Sequence, residues 1–184
     1  MKLKLIDRKL GKKSELGRIR REGNISAALH VHSENSTPVI IDGSVFDAHI
    51  RSIPKGSLST NLFDAEYGGE KFKALVKEIF YDKITYDVLH IDLMKVTDND
   101  VVTVHVPVIC KGEDTCLGVT QGGQLKKVKR SVKISVKVSD MPEAFFVDVS
   151  NVKLGESIRV RDIELSNSMK LRIDKKIILI AVSK

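Results

Sequence analysis

The sequence predicts a mainly β protein with a few short helices, organised as two domains, 1–95 and 96–184. Three observations carry that expectation. Short apolar runs alternate with polar residues at period two. Turns rich in Gly, Asn, Ser and Asp separate them. A polar joint, Thr97-Asp98-Asn99-Asp100, divides two halves that each hold apolar strands of their own.

A first strand is read at Leu3 to Ile6, framed by Lys2, Lys4 and Asp7. After a polar loop, Ser14 and Glu15 open a helix running towards Glu22, and Gly23-Asn24 closes it, because Ser suits the N-cap and Gly the left-handed position past the end. Strand-like runs follow at Ala27 to His32 and Val39 to Asp42, separated by a Ser/Asn/Thr/Pro turn. Val45, Ala48 and His49 fall at helical spacing in a helix from Ser44 to Arg51, and Ser52 to Ser57 is a loop. Leu62 to Tyr67 and Lys71 to Lys77 flank Gly68-Gly69, the mark of a hairpin with a primed turn. Tyr86 to Met94 completes this half. Beyond the joint the reading is entirely short strands: Val101 to Cys110, Val132 to Val138, Phe145 to Val149, Ile158 to Val160 and Ile177 to Val182. There is no internal repeat.

Composition bounds the function. The 184 residues, 42% hydrophobic and 30% charged, describe a soluble globular chain long enough to bury a core without disulfide or metal staples. No apolar run approaches the roughly 18–20 residues that cross a bilayer, and the first residues lack the pattern of a signal peptide, so a cytoplasmic protein with no membrane partner is expected. Two cysteines, Cys110 and Cys116, are too few for a disulfide framework and suit a reducing compartment. Lys and Arg number 31 against 24 Asp and Glu, a formal charge of +7 and a pI near 9.4. The excess is concentrated in residues 1–30 and again in Lys126, Lys127, Lys129, Arg130, Lys133 and Lys137, within a stretch free of acids. Such clusters are the footprint of a phosphate-rich partner, although a solvated face has the same appearance. Aromatics make up 5% and Trp is absent, which argues against a platform of stacked bases.

Two constellations can carry chemistry. Lys12, Lys13, Arg18, Arg20 and Arg21 make the first helix basic. Arg18 and Arg21, three residues apart, share a face that can grip adjacent phosphates while Ile19 anchors the helix to a core; a merely solvent-facing helix is the alternative. His90 and Asp92 lie at i and i+2 on a strand and so project from one side. They can read base edges in the shallow groove of RNA, act as a base with its orienter, or form a structural hydrogen bond. A metal set from His30, His32 and the cysteines lacks a completing carboxylate, and no nucleophile elbow, phosphate-cradling loop or dinucleotide fingerprint is present. No catalytic residue, metal or cofactor is therefore expected.

The run Gly11-Lys12, Arg18-Ile19-Arg20-Arg21-Glu22-Gly23-Asn24-Ile25-Ser26-Ala27-Ala28-Leu29, followed by Leu89-His90-Ile91-Asp92-Leu93, resembles the bacterial large-subunit ribosomal protein L-twenty-five family. The second half resembles the extension of its long form, CTC or general stress protein CTC, at Val106-Pro107-Val108, Gly112-Glu113, Gly118, Gly122-Gly123-Gln124-Leu125, Met141-Pro142-Glu143, Val147-Asp148-Val149-Ser150 and 154–162. That resemblance implies an N-terminal β-barrel binding 5S ribosomal RNA at its minor groove, a C-terminal β-rich domain, and a cytoplasmic, ribosomal protein, monomeric when free. It also implies that Lys12, Arg18, Arg20 and Arg21 engage phosphates while His90 and Asp92 read the groove. The sequence departs from the family pattern at Ser26 (usually Pro), His30-Val31 (Tyr-Gly), Phe80 (Gln) and Lys83 (Pro). The absent Gln and Tyr remove a polar hand and a ring from the RNA surface, for which Lys77 can compensate with a phosphate contact. A reading of another class is a stress-associated factor that binds RNA or protein off the ribosome through the C-terminal domain and the basic stretch 126–137.

Overall fold

The computed structural model describes residues 2–8, 13–31, 36–54, 56–166 and 168–184, which form two compact units, Met1–Asp100 and Val101–Lys184. The first unit contains β1 (Lys2–Asp7), α1 (Lys13–Arg21), β2 (Asn24–Val31), β3 (Thr37–Asp42), α2 (Gly43–Ser52), β4 (Leu62–Tyr67), β5 (Glu70–Tyr81) and β6 (Val88–Val96). Its strands close into a barrel in the order β1-β3-β2-β6-β5-β4, with β2–β6 and β1–β4 parallel and the other pairs antiparallel. Alternation drives the closure. Leu3 and Leu5, Ala27 and Leu29, Phe63 and Ala65, and Ile91 and Leu93 all turn inward and are buried together with Phe46 from α2. The mainly β fold with a barrel is the one expected.

Capping places α2. Asp42 Oδ1 accepts from Ser44 N at 2.8 Å, Val45 N at 3.3 Å and Ser44 Oγ at 2.6 Å. The Ser44 hydroxyl, followed by these amides, holds the Asp42 carboxyl below its usual range. Gly43 N donates to Gly23 O at 3.1 Å, and a Cβ at Gly43 would stand 2.4 Å from that oxygen, so only glycine fits the seam between the end of α1 and the start of α2.

Several boundaries differ from expectation. β2 begins at Asn24, because its ladder with β3 starts at Asn24↔Asp42. β6 begins at Val88 instead of Tyr86: Tyr86 has φ 61° and belongs to the turn closed by Asp82, whose carboxylate accepts from the Ile84 and Thr85 amides. In α2 the buried side chains are Phe46 and His49, whereas Ala48 is exposed, since the helix is oriented by the barrel opening it covers.

The second unit contains β7 (Val101–Lys111), the single-turn α3 (Leu117–Thr120), β8 (Gln124–Lys127), β9 (Ser131–Lys137), β10 (Phe145–Asp148), β11 (Ser157–Arg159), β12 (Lys170–Leu171) and β13 (Ile178–Ser183). They form a four-stranded sheet, β10-β7-β9-β12, and a three-stranded one, β11-β13-β8. Val102, Val104, Val106, Ile134, Val136, Leu179 and Ile180 are among its buried residues. The helix α3 and strands β8 and β12 have no counterpart in the sequence reading, because at four, four and two residues each is too short to show a period. Gly118 and Gly123 allow α3 to lie against Leu154 and Val182, where a Cβ on either would collide.

Candidate nucleic-acid interface

The outer face of the barrel over β2, β6 and β5 is built by register. Ser26 stands beside His90 and Ala28 beside Asp92 on the parallel pair β2–β6, while Phe80 faces His90 and Glu78 faces Asp92 across β5–β6. Since Ala27, Ile91 and Leu93 point inward, Ser26, His90 and Asp92 necessarily point outward. His90 Nε2 lies 3.2 Å from Asp92 Oδ1, with side chains 29% and 22% exposed. His90 Nδ1 lies 3.1 Å from Ser26 Oγ, which is itself 3.0 Å from Leu89 O.

This chain of contacts constrains the protons. The carboxylate can only accept, so Nε2 carries hydrogen. In the neutral imidazole the Ser26 hydroxyl then donates to Nδ1; in the imidazolium Nδ1 donates to Ser26 Oγ and the hydroxyl turns to Leu89 O. Although Asp92, His90 and Ser26 line up as a nucleophilic triad would, Ser26 is only 2% exposed and no substrate reaches its oxygen. What remains accessible is a carboxylate acceptor and an imidazole edge, with the Phe80 ring 6.1 Å from that of His90.

The basic helix supplies charge at one side of this face. Ile19 is buried and anchors α1. Arg20 reaches the site: its Nη2 donates to Leu89 O at 3.4 Å, the same carbonyl that Ser26 approaches. Arg18 and Arg21 turn to their own helix, Arg18 to Glu22 at 3.6 Å and Arg21 Nε to Gly17 O at 3.2 Å, both exposed and therefore easily re-aimed. Lys77 is exposed at an irregularity of β5 next to Glu78. Lys12, like His32 of the metal reading, lies outside the described residues, as does the side chain of Lys13. Beside Arg20 opens a recess of about 860 Å3 lined in part by Asn24, Asp47, Arg51, Asp82 and Tyr86. The Ile84 and Thr85 amides hold the Asp82 carboxyl below its usual range, and the charge of Arg20 adds a smaller pull.

Sequence reasoning missed two members. In the sequence Ser26 stands only as a departure from the family pattern and Phe80 as the loss of a polar hand, yet here Ser26 meets the inner side of the His90 ring and Phe80 flanks it. Only the strand register reveals them, because Ser26 and His90 are 64 residues apart.

The accessible groups on this barrel face are a carboxylate, an imidazole edge and the exposed arginines of α1. Residues 3–93 match the model of the Ribosomal L25p family, and residues 101–184 match that of Ribosomal protein TL5, C-terminal domain. Over the whole of both chains, this sequence is 32% identical to the "Large ribosomal subunit protein bL25" of Chlamydia pneumoniae. The protein of the same description from Chlamydia muridarum is 32% identical over 92% of each chain, and that of Chlamydia caviae 29% over the whole of both. The chain belongs to the ribosomal L25p family, whose members are ribosomal and not enzymatic.

Proposed function

We propose that the chain is a structural component of the large ribosomal subunit whose first domain binds 5S ribosomal RNA. The observation that carries this reading is the outward cluster of Arg20, Ser26, His90 and Asp92 on β2, β6 and the end of α1. An acceptor carboxylate on a shallow convex face suits the exposed amine of guanine in the wide minor groove of RNA, and His90 orients that carboxylate. Arg18, Arg20, Arg21 and Lys77, with Lys12 and Lys13 of the same basic run in the sequence, supply phosphate contacts that position the protein without reading sequence. The large-subunit names of the chlamydial proteins support the ribosomal setting.

The test is a gel-shift titration of the full chain against 5S RNA and a length-matched unrelated RNA at two salt concentrations. A preference for 5S RNA that persists at the higher salt is expected. Equal, salt-sensitive binding to both would overturn the reading.

A further inference from the structure

The basic stretch 126–137 is divided by the fold. Lys126 and Lys127 belong to β8 of the three-stranded sheet, and Lys127 is held by Glu113 at 2.6 Å. Lys133 and Lys137 belong to β9 of the other sheet. There Val102, Val104 and Val106 of β7 pair with Val136, Ile134 and Val132 on the buried side, so the alternate residues face out. Lys133 and Lys137 stand on that outer side, and Lys170 of β12 lies opposite Ser135, midway between them. Arg172 N donates to Lys133 O at 3.0 Å, which continues the ladder and sets Arg172 opposite Lys133 on the same side.

Four exposed cations thus form a strip across two adjacent strands, neighbouring rows being about 7 Å apart along the strand direction. None of the four is in an ion pair among the described residues. The floor between them is small and polar: Ser135, buried, with Thr103 Oγ1 at 3.5 Å from its hydroxyl. His105 faces Lys133 from β7, and the carboxylate of this sheet side, Asp148, sits on the far edge strand β10, already accepting from Ser150 N and Oγ.

We infer that this outer face of the four-stranded sheet is a second RNA-docking surface, gripping backbone phosphates through Lys133, Lys137, Lys170 and Arg172. A protein partner fits it poorly, because lysine is depleted from the cores of protein interfaces and the exposed apolar residues of this side, Val101 opposite Lys137 and Ile109 with Phe146 towards β10, stand at the margin of the strip. A phosphate run fits it well, since each neutralised phosphate releases counterions. The inference is independent of the reading of the barrel.

The test measures fluorescence anisotropy of the full chain with a labelled mixed-sequence duplex RNA across a salt series. Lys133→Glu/Lys170→Glu is compared with Lys126→Glu/Lys153→Glu, which has the same net charge but places the change on β8 of the other sheet and ahead of β11. Far-UV circular dichroism and thermal melts verify that both are folded. The strip variant should bind about tenfold more weakly than the wild type and flatten the salt slope by about 2, while the control changes little. Equal weakening by both variants, or none by either, overturns the proposal, and capture of a protein partner without RNA would do the same. The preference of the wild type for 5S RNA over unrelated RNA is read separately and tests only the barrel.

Discussion

At the residue scale, Asp92 and the arginines separate by what they touch. Asp92 is positioned by His90, so Asp92→Ala should cost about 1–3 kcal/mol of binding on 5S RNA and little on an unrelated duplex. Arg20→Ala should weaken binding to both RNAs alike and flatten the salt slope by about 1, as a phosphate contact does. Equal losses on the two RNAs for Asp92→Ala would assign it to holding the strand instead. Tyr86 is a different case. It holds φ 61° with its side chain mostly in solvent, and a left-handed backbone costs a residue with a Cβ about 1–2 kcal/mol. Tyr86→Gly should therefore raise the melting temperature, offset in part by the greater freedom of glycine in the unfolded chain. A fall would show that the ring holds the 82–87 turn.

At the scale of elements, α2 depends on its cap and its seam. Asp42→Ala removes the acceptor for two amides and should lower Tm by a few degrees near neutrality. Because the folded carboxyl titrates below its usual value, this stabilisation is present above about pH 3.8 and is lost as the pH falls through the folded value. The gap between wild type and variant should accordingly narrow in acid. Gly43→Ala should be the more damaging change, since its methyl group would collide with backbone at Gly23, which cannot swing aside as a side chain would. Little of this was legible beforehand: Ser44 could be read as opening the helix, but the seam pairs Gly43 with a residue from the end of α1. The Gly68-Gly69 hairpin was legible, because both glycines adopt positive φ in a two-residue turn that determines its own strand pairing.

At the scale of the whole molecule, stability and charge respond to pH and salt. His49 is buried against Phe63, 5.7 Å between ring centroids, and burial pushes its imidazole below the ordinary value of 6.5. The unfolded chain takes up that proton more readily, so stability is full above about pH 6.5 and declines as the pH falls below it. Thermal melts between about pH 7 and pH 5 should show the decline, and His49→Gln should reduce its steepness whatever it does to Tm itself. An unchanged slope would rule His49 out as its source. By itself the sequence determined the mainly β class, the basic first helix, the outward pairing of His90 with Asp92 and the membership in a ribosomal family, because period-two patterning, local charge and motif order are properties of neighbours along the chain. Tertiary structure alone decided that Ser26 and Arg20 join His90 through Leu89, that Phe80 flanks the ring, and that the stretch 126–137 is split between two sheets. Those relations depend on strand register, and register is set by which apolar faces close on one core across dozens of residues.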